Sequence, residues 1–195
     1  MAHRILLSEK AVLETEKGEL LVQRDQFKNS WRQLITGFST SFPVGKYCTL
    51  TNEEVYCSAC MKYWYQNGSS CYLFKTQSWL TWTKSQEYCS EIGGYLVVID
   101  SQEKQEYISQ HINDYYDTYR GFWIGLAKKE NMWIWSTGAE VQSNGSWTKP
   151  PGNSQAGCVL LNPNKDNLNK WDVKECSMLN RYICEMKAMV WPSQM

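Results

Sequence analysis

Apolar residues recur every seven positions in the first part of the chain, among charged residues of both signs. The five positions are Leu6, Leu13, Leu20, Phe27 and Leu34. This spacing returns to one face of a helix every two turns, so it predicts a helical segment over about residues 5–35. The positions three and four residues further along are polar, whereas a coiled coil needs a second apolar seam. Two interpretations therefore remain: a dimeric coiled coil, and a lone or partly disordered amphipathic helix.

The pattern changes after this segment. Residues 37–45 are rich in Gly, Ser, Thr and Pro, as is typical of a linker. From Cys60 onward, short aromatic and β-branched runs alternate with turn residues, and the segment Gln66-Asn67-Gly68-Ser69 predicts a hairpin turn. Strands are predicted over residues 63–65, 70–74, 96–99, 122–126, 132–135, 158–161, 170–172 and 181–186.

Two helices are predicted among the early strands. The first covers residues 79–92 and ends at Gly93-Gly94, since glycine commonly terminates helices. The second follows a cap at Asp100 or Ser101 and continues to about Ile112. Helices early and strands late predict an α+β fold.

The cysteines point to an oxidising compartment. The chain has eight cysteines and ten tryptophans, and the cysteines begin at Cys48. Zinc sites usually combine two close Cys or His pairs, and only Cys57-Ser-Ala-Cys60 has such a spacing. We therefore predict disulfides and no metal site. Twenty basic residues balance twenty acidic ones, so the charge gives no reason to expect a nucleic-acid partner.

Neither an enzyme nor a membrane span is indicated by the motifs. The two histidines, His3 and His111, stand apart from any nucleophile motif, and no phosphate loop occurs. Charged residues interrupt positions 1–22, which excludes both a signal-peptide core and the run of about 20 apolar residues of a membrane span. Asn67-Gly-Ser69 and Asn144-Gly-Ser146 are glycan acceptors if the chain is secreted.

Nine short segments occur in a fixed order within residues 57–187. They are Cys60-Met-Lys-Tyr-Trp64, Cys71-Tyr-Leu-Phe74, Trp82-Thr-Lys-Ser-Gln-Glu-Tyr-Cys89, Leu96-Val-Val-Ile99, Trp123-Ile-Gly-Leu126, Trp133-Ile-Trp135, Gly157-Cys158, Trp171 with Cys176, and Tyr182-Ile-Cys184-Glu185. Each is weak alone, but together they resemble a C-type lectin-like domain. The Cys-x-x-Cys opening and the stalk resemble the natural-killer and myeloid receptors of that family, which include the β-glucan receptor and the oxidised-lipoprotein receptor.

The resemblance implies a division of the chain and a fold. Residues 1–56 are expected to form a partly helical stalk with a linker, residues 57–187 the lectin-like domain, and residues 188–195 a tail. In the family fold, two helices flank two small antiparallel sheets, disulfides staple the domain, and a long loop region carries ligand contacts. Core packing is implied for Trp64, Trp82, Trp123, Trp133, Trp135 and Trp171.

The resemblance also implies disulfide partners. The implied pairs are Cys60 with Cys71, Cys89 with Cys184, and Cys158 with Cys176. The two remaining cysteines, Cys48 and Cys57, lie where the family has stalk cysteines. We expect at least one of them to form an interchain bond in a homo- or heterodimer, and a local bridge between them is the alternative.

Calcium is not expected as a cofactor. Calcium-dependent members of the family supply hard oxygen ligands, and the ion needs six to eight of them. In this sequence Lys149 replaces the loop Glu, Ala156 stands where a second Glu is expected, and Val173 follows the single retained acid, Asp172. The Trp and His that serve calcium-free binding in the β-glucan receptor correspond to Leu160 and Asn162.

The resemblance therefore predicts a cell-surface receptor of immune cells. We expect it to bind a protein ligand on another cell, or on a damaged or pathogen surface, through loops between about residues 138 and 172. Sugar binding is the alternative, and a soluble or non-functional isoform is a second alternative. The expected location is the outer side of a single-pass type II membrane protein, or secreted or intracellular for an isoform without the anchor. Candidate ligand contacts are Lys149, Asn153, Asn164, Lys165, Asp166, Lys170 and Asp172.

Overall fold

The chain divides into two compact units. We call Met1–Cys57 the N-terminal unit and Ser58–Met195 the C-terminal unit. The residues described by the computed structural model are 2–37, 44–51, 54–112, 120–141, 157–163 and 171–190.

A long helix, α1, dominates the N-terminal unit. The helix predicted over about residues 5–35 extends over Ala2–Gly37. Leu13, Leu20 and Phe27 are 64%, 64% and 58% exposed, so this apolar stripe is uncovered in a single copy of the chain.

A small hairpin follows α1 in the N-terminal unit. After the short helix α2 (Val44–Tyr47), strands β1 (Cys48–Thr51) and β2 (Glu54–Cys57) pair antiparallel. Cys48 lies directly opposite Cys57, and the two sulfur atoms are bonded at 2.12 Å. Directly opposed residues in an antiparallel pair have neighbouring Cβ atoms, which favours this local bridge. The prediction of an interchain bond is therefore wrong, because the sulfur atoms of Cys48 and Cys57 are bonded to each other within one chain.

The C-terminal unit combines two helices with eight strands among its described residues. The predicted α+β class is confirmed. In chain order the elements are β3 (Tyr65–Asn67), β4 (Ser70–Leu80), α3 (Trp82–Glu91), β5 (Tyr95–Leu96), α4 (Gln102–His111), β6 (Phe122–Lys129), β7 (Met132–Trp135), β8 (Cys158–Leu161), β9 (Trp171–Lys174) and β10 (Asn180–Lys187).

The strands of the C-terminal unit form one connected sheet rather than two separate ones. The order is β3-β4-β10-β6-β8-β9, with β5 paired to β10 and β7 paired to β6. The junction is a short parallel pairing of β10 with β6, at Arg181 opposite Phe122 and Tyr182 opposite Trp123. The other pairings are antiparallel. This junction places the last strand between the hairpin end and the end that carries β8 and β9.

Both helices begin at polar caps. The hydroxyl of Thr81 accepts a hydrogen bond from the Lys84 amide, so α3 begins three residues later than predicted, because β4 continues to Leu80. The hydroxyl of Ser101 accepts from the Lys104 amide, so Ser101, one of the two caps that the sequence allowed, begins the second helix. Each cap satisfies a backbone donor that would otherwise lack a partner.

Aromatic side chains fill the core of the C-terminal unit. Trp82, Trp123 and Trp135 are buried, and Trp64, Trp133 and Trp171 are half-buried against the same core clusters. Two of the buried indoles are hydrogen-bonded, since that of Trp82 donates to the Ile124 carbonyl at 2.8 Å and that of Trp123 to the Leu80 carbonyl at 3.0 Å. The packing role implied for these tryptophans is confirmed.

Three disulfides connect elements of the C-terminal unit. Their sulfur–sulfur distances are 1.93 Å for Cys60–Cys71, 1.90 Å for Cys89–Cys184 and 1.97 Å for Cys158–Cys176. These are the pairs that the resemblance implied. The second joins α3 to β10, and the third joins the start of β8 to the residues after β9.

Candidate functional site

Two paired strands lie within the part of the chain that the sequence indicated for ligand binding. Strand β8 pairs antiparallel with β9, and Leu160 lies opposite Asp172. The segment 164–170 connects the two strands, and the segment 142–156 enters β8 through Gly157. We call β8 and β9, with their flanking residues Gly157 and Pro163, the platform.

The platform is held covalently at one end. The Cys158–Cys176 bond brings the two Cα atoms within 5.1 Å, and it joins the entrance of β8 to the exit of β9. The Lys128 amide donates to the Gly157 carbonyl at 2.7 Å, which ties the same end to β6. This end of the platform is therefore fixed to the rest of the sheet.

Trp171 ties β9 to the second helix. Its indole N–H donates to Gln105 Oε1 at 2.8 Å, and Gln105 in turn donates to the Ser109 hydroxyl at 3.0 Å. Gln105 and Ser109 are buried, and the Trp171 ring meets Trp135 edge-on with ring centres 5.6 Å apart. This buried polar chain fixes the rotamer of Trp171 and hence the start of β9.

Asp172 is the described member of the predicted contact set. Its side chain is half-buried, and Oδ2 accepts a hydrogen bond from Asn162 Nδ2 at 3.4 Å. Asn162 is only 2% exposed, so the amide that holds the carboxylate is itself fixed by packing. The Asp172 carboxylate is thus hydrogen-bonded within the platform.

Two described residues of the platform bear on the expectation that calcium is not a cofactor. The next residue after Asp172 is Val173, which lies opposite Val159 of β8. Its side chain points to the other face of the sheet from Asp172 and carries no oxygen. Asp172 has one carboxylate oxygen hydrogen-bonded to Asn162, whereas calcium requires six to eight oxygens. Among the described residues, no three His, Cys, Asp or Glu side chains group as metal ligands would.

The positions that correspond to the sugar-binding pair of the β-glucan receptor are internal. Leu160 is 0% exposed and Asn162 is 2% exposed. Neither side chain presents a surface on which a sugar ring could stack.

Most of the predicted contacts fall outside the described residues. The same holds for the glycan acceptor Asn144, whereas Asn67 ends β3 at a hairpin turn. The predicted contacts outside the described residues are Lys149, Asn153, Asn164, Lys165, Asp166 and Lys170.

An aromatic cluster at the other end of the sheet was not found from the sequence. It consists of Tyr65, Phe74, Tyr107 and His111. The His111 ring stacks on Phe74 with centres 5.2 Å apart and lies 4.2 Å from the centre of Tyr107. The signals were the four-residue spacing of Tyr107 and His111 and the period-2 aromatics of the hairpin, both of which predict a shared face.

Within the part of the chain that the structure describes, no helix has both the length and the apolar character needed to cross a bilayer.

Comparisons with known proteins identify a family model and several relatives. The family model described as Lectin C-type domain matches residues 78–186. Asialoglycoprotein receptor 2 of Rattus norvegicus is 33% identical over 138 residues, which is 66% of this chain and 42% of that protein. C-type lectin domain family 7 member A of Bos taurus is 28% identical over 197 residues, covering 95% of this chain and 75% of that protein. The chain thus spans less than half the length of the rat relative.

The matches to solved structures with the same fold extend over nearly the whole length of those chains. The C-type lectin domain of murine dendritic cell inhibitory receptor 2, in complex with an N-glycan, matches with TM-score 0.56 and 28% identity, over 66% of this chain and 98% of that one. The cow carbohydrate-recognition domain of CD23, in the presence of a GlcNAc2Man3 oligosaccharide, matches with TM-score 0.53 and 25% identity, over 69% and 100%. A calcium-independent type II antifreeze protein, at 24% identity and TM-score 0.55, shows the fold alone.

Proposed function

This chain belongs to the lectin C-type domain family, and from that premise we propose that it is the extracellular, non-catalytic recognition part of a type II membrane receptor of immune cells. Two of its relatives are receptors by name, namely asialoglycoprotein receptor 2 of Rattus norvegicus and the low affinity immunoglobulin epsilon Fc receptor of Mus musculus. The eight cysteines are all engaged in disulfides, which fits an oxidising compartment outside the cytosol.

The ligand is proposed to be a protein bound without calcium. The observation that carries this proposal is the Asp172 environment, where Asn162 occupies one carboxylate oxygen and Val173 replaces a further oxygen ligand. In the sequence, Lys149 adds a cation where a calcium site requires an anion. A rigid platform with freely varying loops is suited to recognising a protein surface.

The loops beside the platform are proposed as the contact surface. Lys149, Lys165 and Lys170 supply positive charge, and Asp166 lies between the last two in sequence. Charged groups at the edge of an interface accelerate association and discriminate between partners. The helices and tryptophan-rich strands are occupied in forming the core, which leaves these residues as the variable part.

A carbohydrate ligand is the second candidate. Two structural neighbours were solved with glycans, namely dendritic cell inhibitory receptor 2 and CD23. For this chain, sugar binding would have to use groups other than the buried Leu160 and Asn162.

Self-association through α1 is proposed to raise the avidity of the receptor. Leu13, Leu20 and Phe27 form an exposed stripe at heptad spacing, and Cys48 and Cys57 are used within the chain. In a parallel pair with the leucines at the first core position, Glu19 and Arg24 occupy the flanking positions that pair between helices. The occupant proposed for the stripe is therefore a second copy of this chain. Two linked modules bind a surface-displayed ligand more strongly than one.

Changing Leu13 and Leu20 to serine should abolish this self-association. Both side chains lose their apolar contact with the partner helix, so the full chain should sediment as a monomer at concentrations where the unchanged chain is dimeric. Changing Leu21 and Val22, which are 41% and 57% exposed and lie off the stripe, to serine is the matched control and should leave the dimer intact. Monomeric behaviour of the unchanged chain at high micromolar concentration contradicts the proposal.

A ligand screen tests the proposed function. The full chain, fused to a dimeric carrier, is applied to a glycan array and to a library of cell-surface proteins, each with and without a calcium chelator. The expected result is binding to a protein that the chelator does not alter. Glycan binding that the chelator abolishes would support the carbohydrate alternative and overturn the proposal.

A further inference from the structure

The acceptor Asn67 and the aromatic cluster share one face of the hairpin. Strand β3 pairs with β4 so that Tyr65 lies opposite Tyr72 and Asn67 lies opposite Ser70. Side chains two residues apart on a strand point to the same side, about 6.6 Å from each other. The Tyr65 ring meets Phe74 and His111 at 5.8 and 5.6 Å, so this side is the one that faces the cluster.

The cluster leaves aromatic surface uncovered. Tyr65 is 55% exposed although its ring touches two other rings, and His111 is exposed at the end of α4. The ring contacts hold Tyr65 in place, because Phe74 and His111 stack nearly parallel beneath it with an interplanar angle of 9°. The result is a fixed aromatic face beside the turn.

Asn67 stands where a glycan can be attached. It closes a two-residue turn with Ser70, and Gly68 in that turn has φ +55°, a conformation that glycine adopts without strain. Ser69 supplies the hydroxyl of the Asn-x-Ser acceptor sequence, and both Gly68 and Ser69 are exposed. Asn-x-Ser sequences on exposed turns of secreted proteins are accessible to glycosylation.

We propose that Asn67 carries an N-linked glycan whose first N-acetylglucosamine packs against the Tyr65 ring and covers the aromatic cluster. One face of the sugar ring consists of C–H groups, which are attracted to the electron-rich face of an aromatic ring. The first sugar is bonded directly to the Asn67 amide, so the distance to Tyr65 is within its reach. The proposal depends on the proposed function only in that the chain must pass through the secretory pathway.

The test uses the full chain with an appended secretion signal, in an Asn144→Gln background so that Asn67 is the remaining acceptor of the two. Glycopeptide mapping is expected to find Asn67 occupied. Endoglycosidase trimming to a single N-acetylglucosamine should keep the melting temperature of the C-terminal unit about 3–5 °C above that of the unglycosylated Ser69→Ala chain, the shift expected for about 1 kcal/mol in a domain of this size.

A double-mutant cycle separates stacking from other effects of the glycan. Changing Tyr65 to leucine keeps an apolar contact with Phe74 but removes the ring, and should reduce the difference between trimmed and unglycosylated chains to less than about 1 °C. Changing Tyr63, which is 89% exposed, to leucine is the matched control and should preserve the difference. Proton NMR should show sugar resonances shifted upfield by the ring, and these shifts should vanish in the Tyr65→Leu chain.

Two results overturn the proposal. One is an unoccupied Asn67 in the secreted chain, and the other is a stabilisation by the sugar that persists unchanged in the Tyr65→Leu chain. The ligand screen does not depend on Asn67, so failure of the glycan proposal and failure of the proposed function are separately recognisable.

Discussion

Replacing Cys89 and Cys184 with alanine is expected to lower the free energy of unfolding of the C-terminal unit by about 4–5 kcal/mol. The bond closes a separation of 95 residues and joins α3 to the central strand β10, so its loss releases a large loop in the unfolded chain. This loss is a large fraction of the stability of a typical domain. Urea unfolding followed by tryptophan fluorescence should show a lowered midpoint or no cooperative transition at 37 °C.

The control removes the short bridge of the N-terminal unit. Cys48 and Cys57 are nine residues apart, and both lie outside the C-terminal unit. Changing both to alanine should leave the unfolding midpoint of the C-terminal unit unchanged. Equal losses from the two double variants would contradict the assignment of the long bridge as the main staple of the lectin-like fold.

Changing Lys104 to methionine is expected to lower the free energy of unfolding by about 3 kcal/mol, because it leaves a buried carboxylate without its cation. Glu185 is 1% exposed, and its Oε1 accepts hydrogen bonds from Lys104 Nζ and the Ser70 hydroxyl, each at 2.9 Å. Its Oε2 accepts from the Val98 amide at 3.1 Å. The network thus joins α4, β4 and the residues after β5 to β10. Thermal or urea unfolding measures the loss.

The pKa of Lys104 determines at which pH its stabilising charge is lost. Burial alone lowers the pKa of Lys104, but the hydrogen bond and charge of Glu185, with those of Asp100, outweigh it and raise the pKa above 10.5. A raised pKa in the folded state means that the stabilisation is complete below 10.5 and is lost only as the pH rises through the folded value. Urea unfolding of the unchanged chain should therefore show no loss of the stabilisation from the Lys104 charge between about pH 6 and pH 9.

A surface pair provides the matched control for this prediction. Lys84 lies 2.6 Å from Glu87, but the two side chains are 64% and 49% exposed. Changing Lys84 to methionine should leave the unfolding midpoint nearly unchanged, since exposed ion pairs contribute little to stability. A Lys104→Met chain that lost no more than the Lys84→Met chain would show that Glu185 tolerates the loss of its cation.

The hydrophobic pattern predicted most elements of the C-terminal unit, because the alternation of a strand and the cap of a helix are encoded by residues that are close in sequence. The end of β4 was misplaced because Trp79 and Leu80 suit either element, and their place in the strand depends on pairing with the distant β10. The parallel junction at Tyr182 and Trp123 could not be predicted for the same reason.

The candidate site was harder to predict than the fold. Leu160 and Asn162 could be excluded from a sugar site by residue type, and their burial agrees with that exclusion. The hydrogen bond from Asn162 to Asp172 joins residues that are ten positions apart, so no local sequence pattern predicts it. The aromatic cluster could not be predicted from local sequence, because Tyr65 and His111 come together only when α4 packs beside the hairpin.

The most direct test of a calcium-free receptor that uses its loop face is the affinity of the captured protein ligand for two charge-reversed chains. One chain carries Lys149→Glu, Lys165→Glu and Lys170→Glu, and the other carries Lys84→Glu and Glu103→Lys on the helices. Surface plasmon resonance should show at least a tenfold weaker Kd, or about 1.4 kcal/mol, for the first chain and no change for the second. A calcium chelator should alter neither value. Loss of binding in the helix variant alone, or on addition of chelator, would contradict the account.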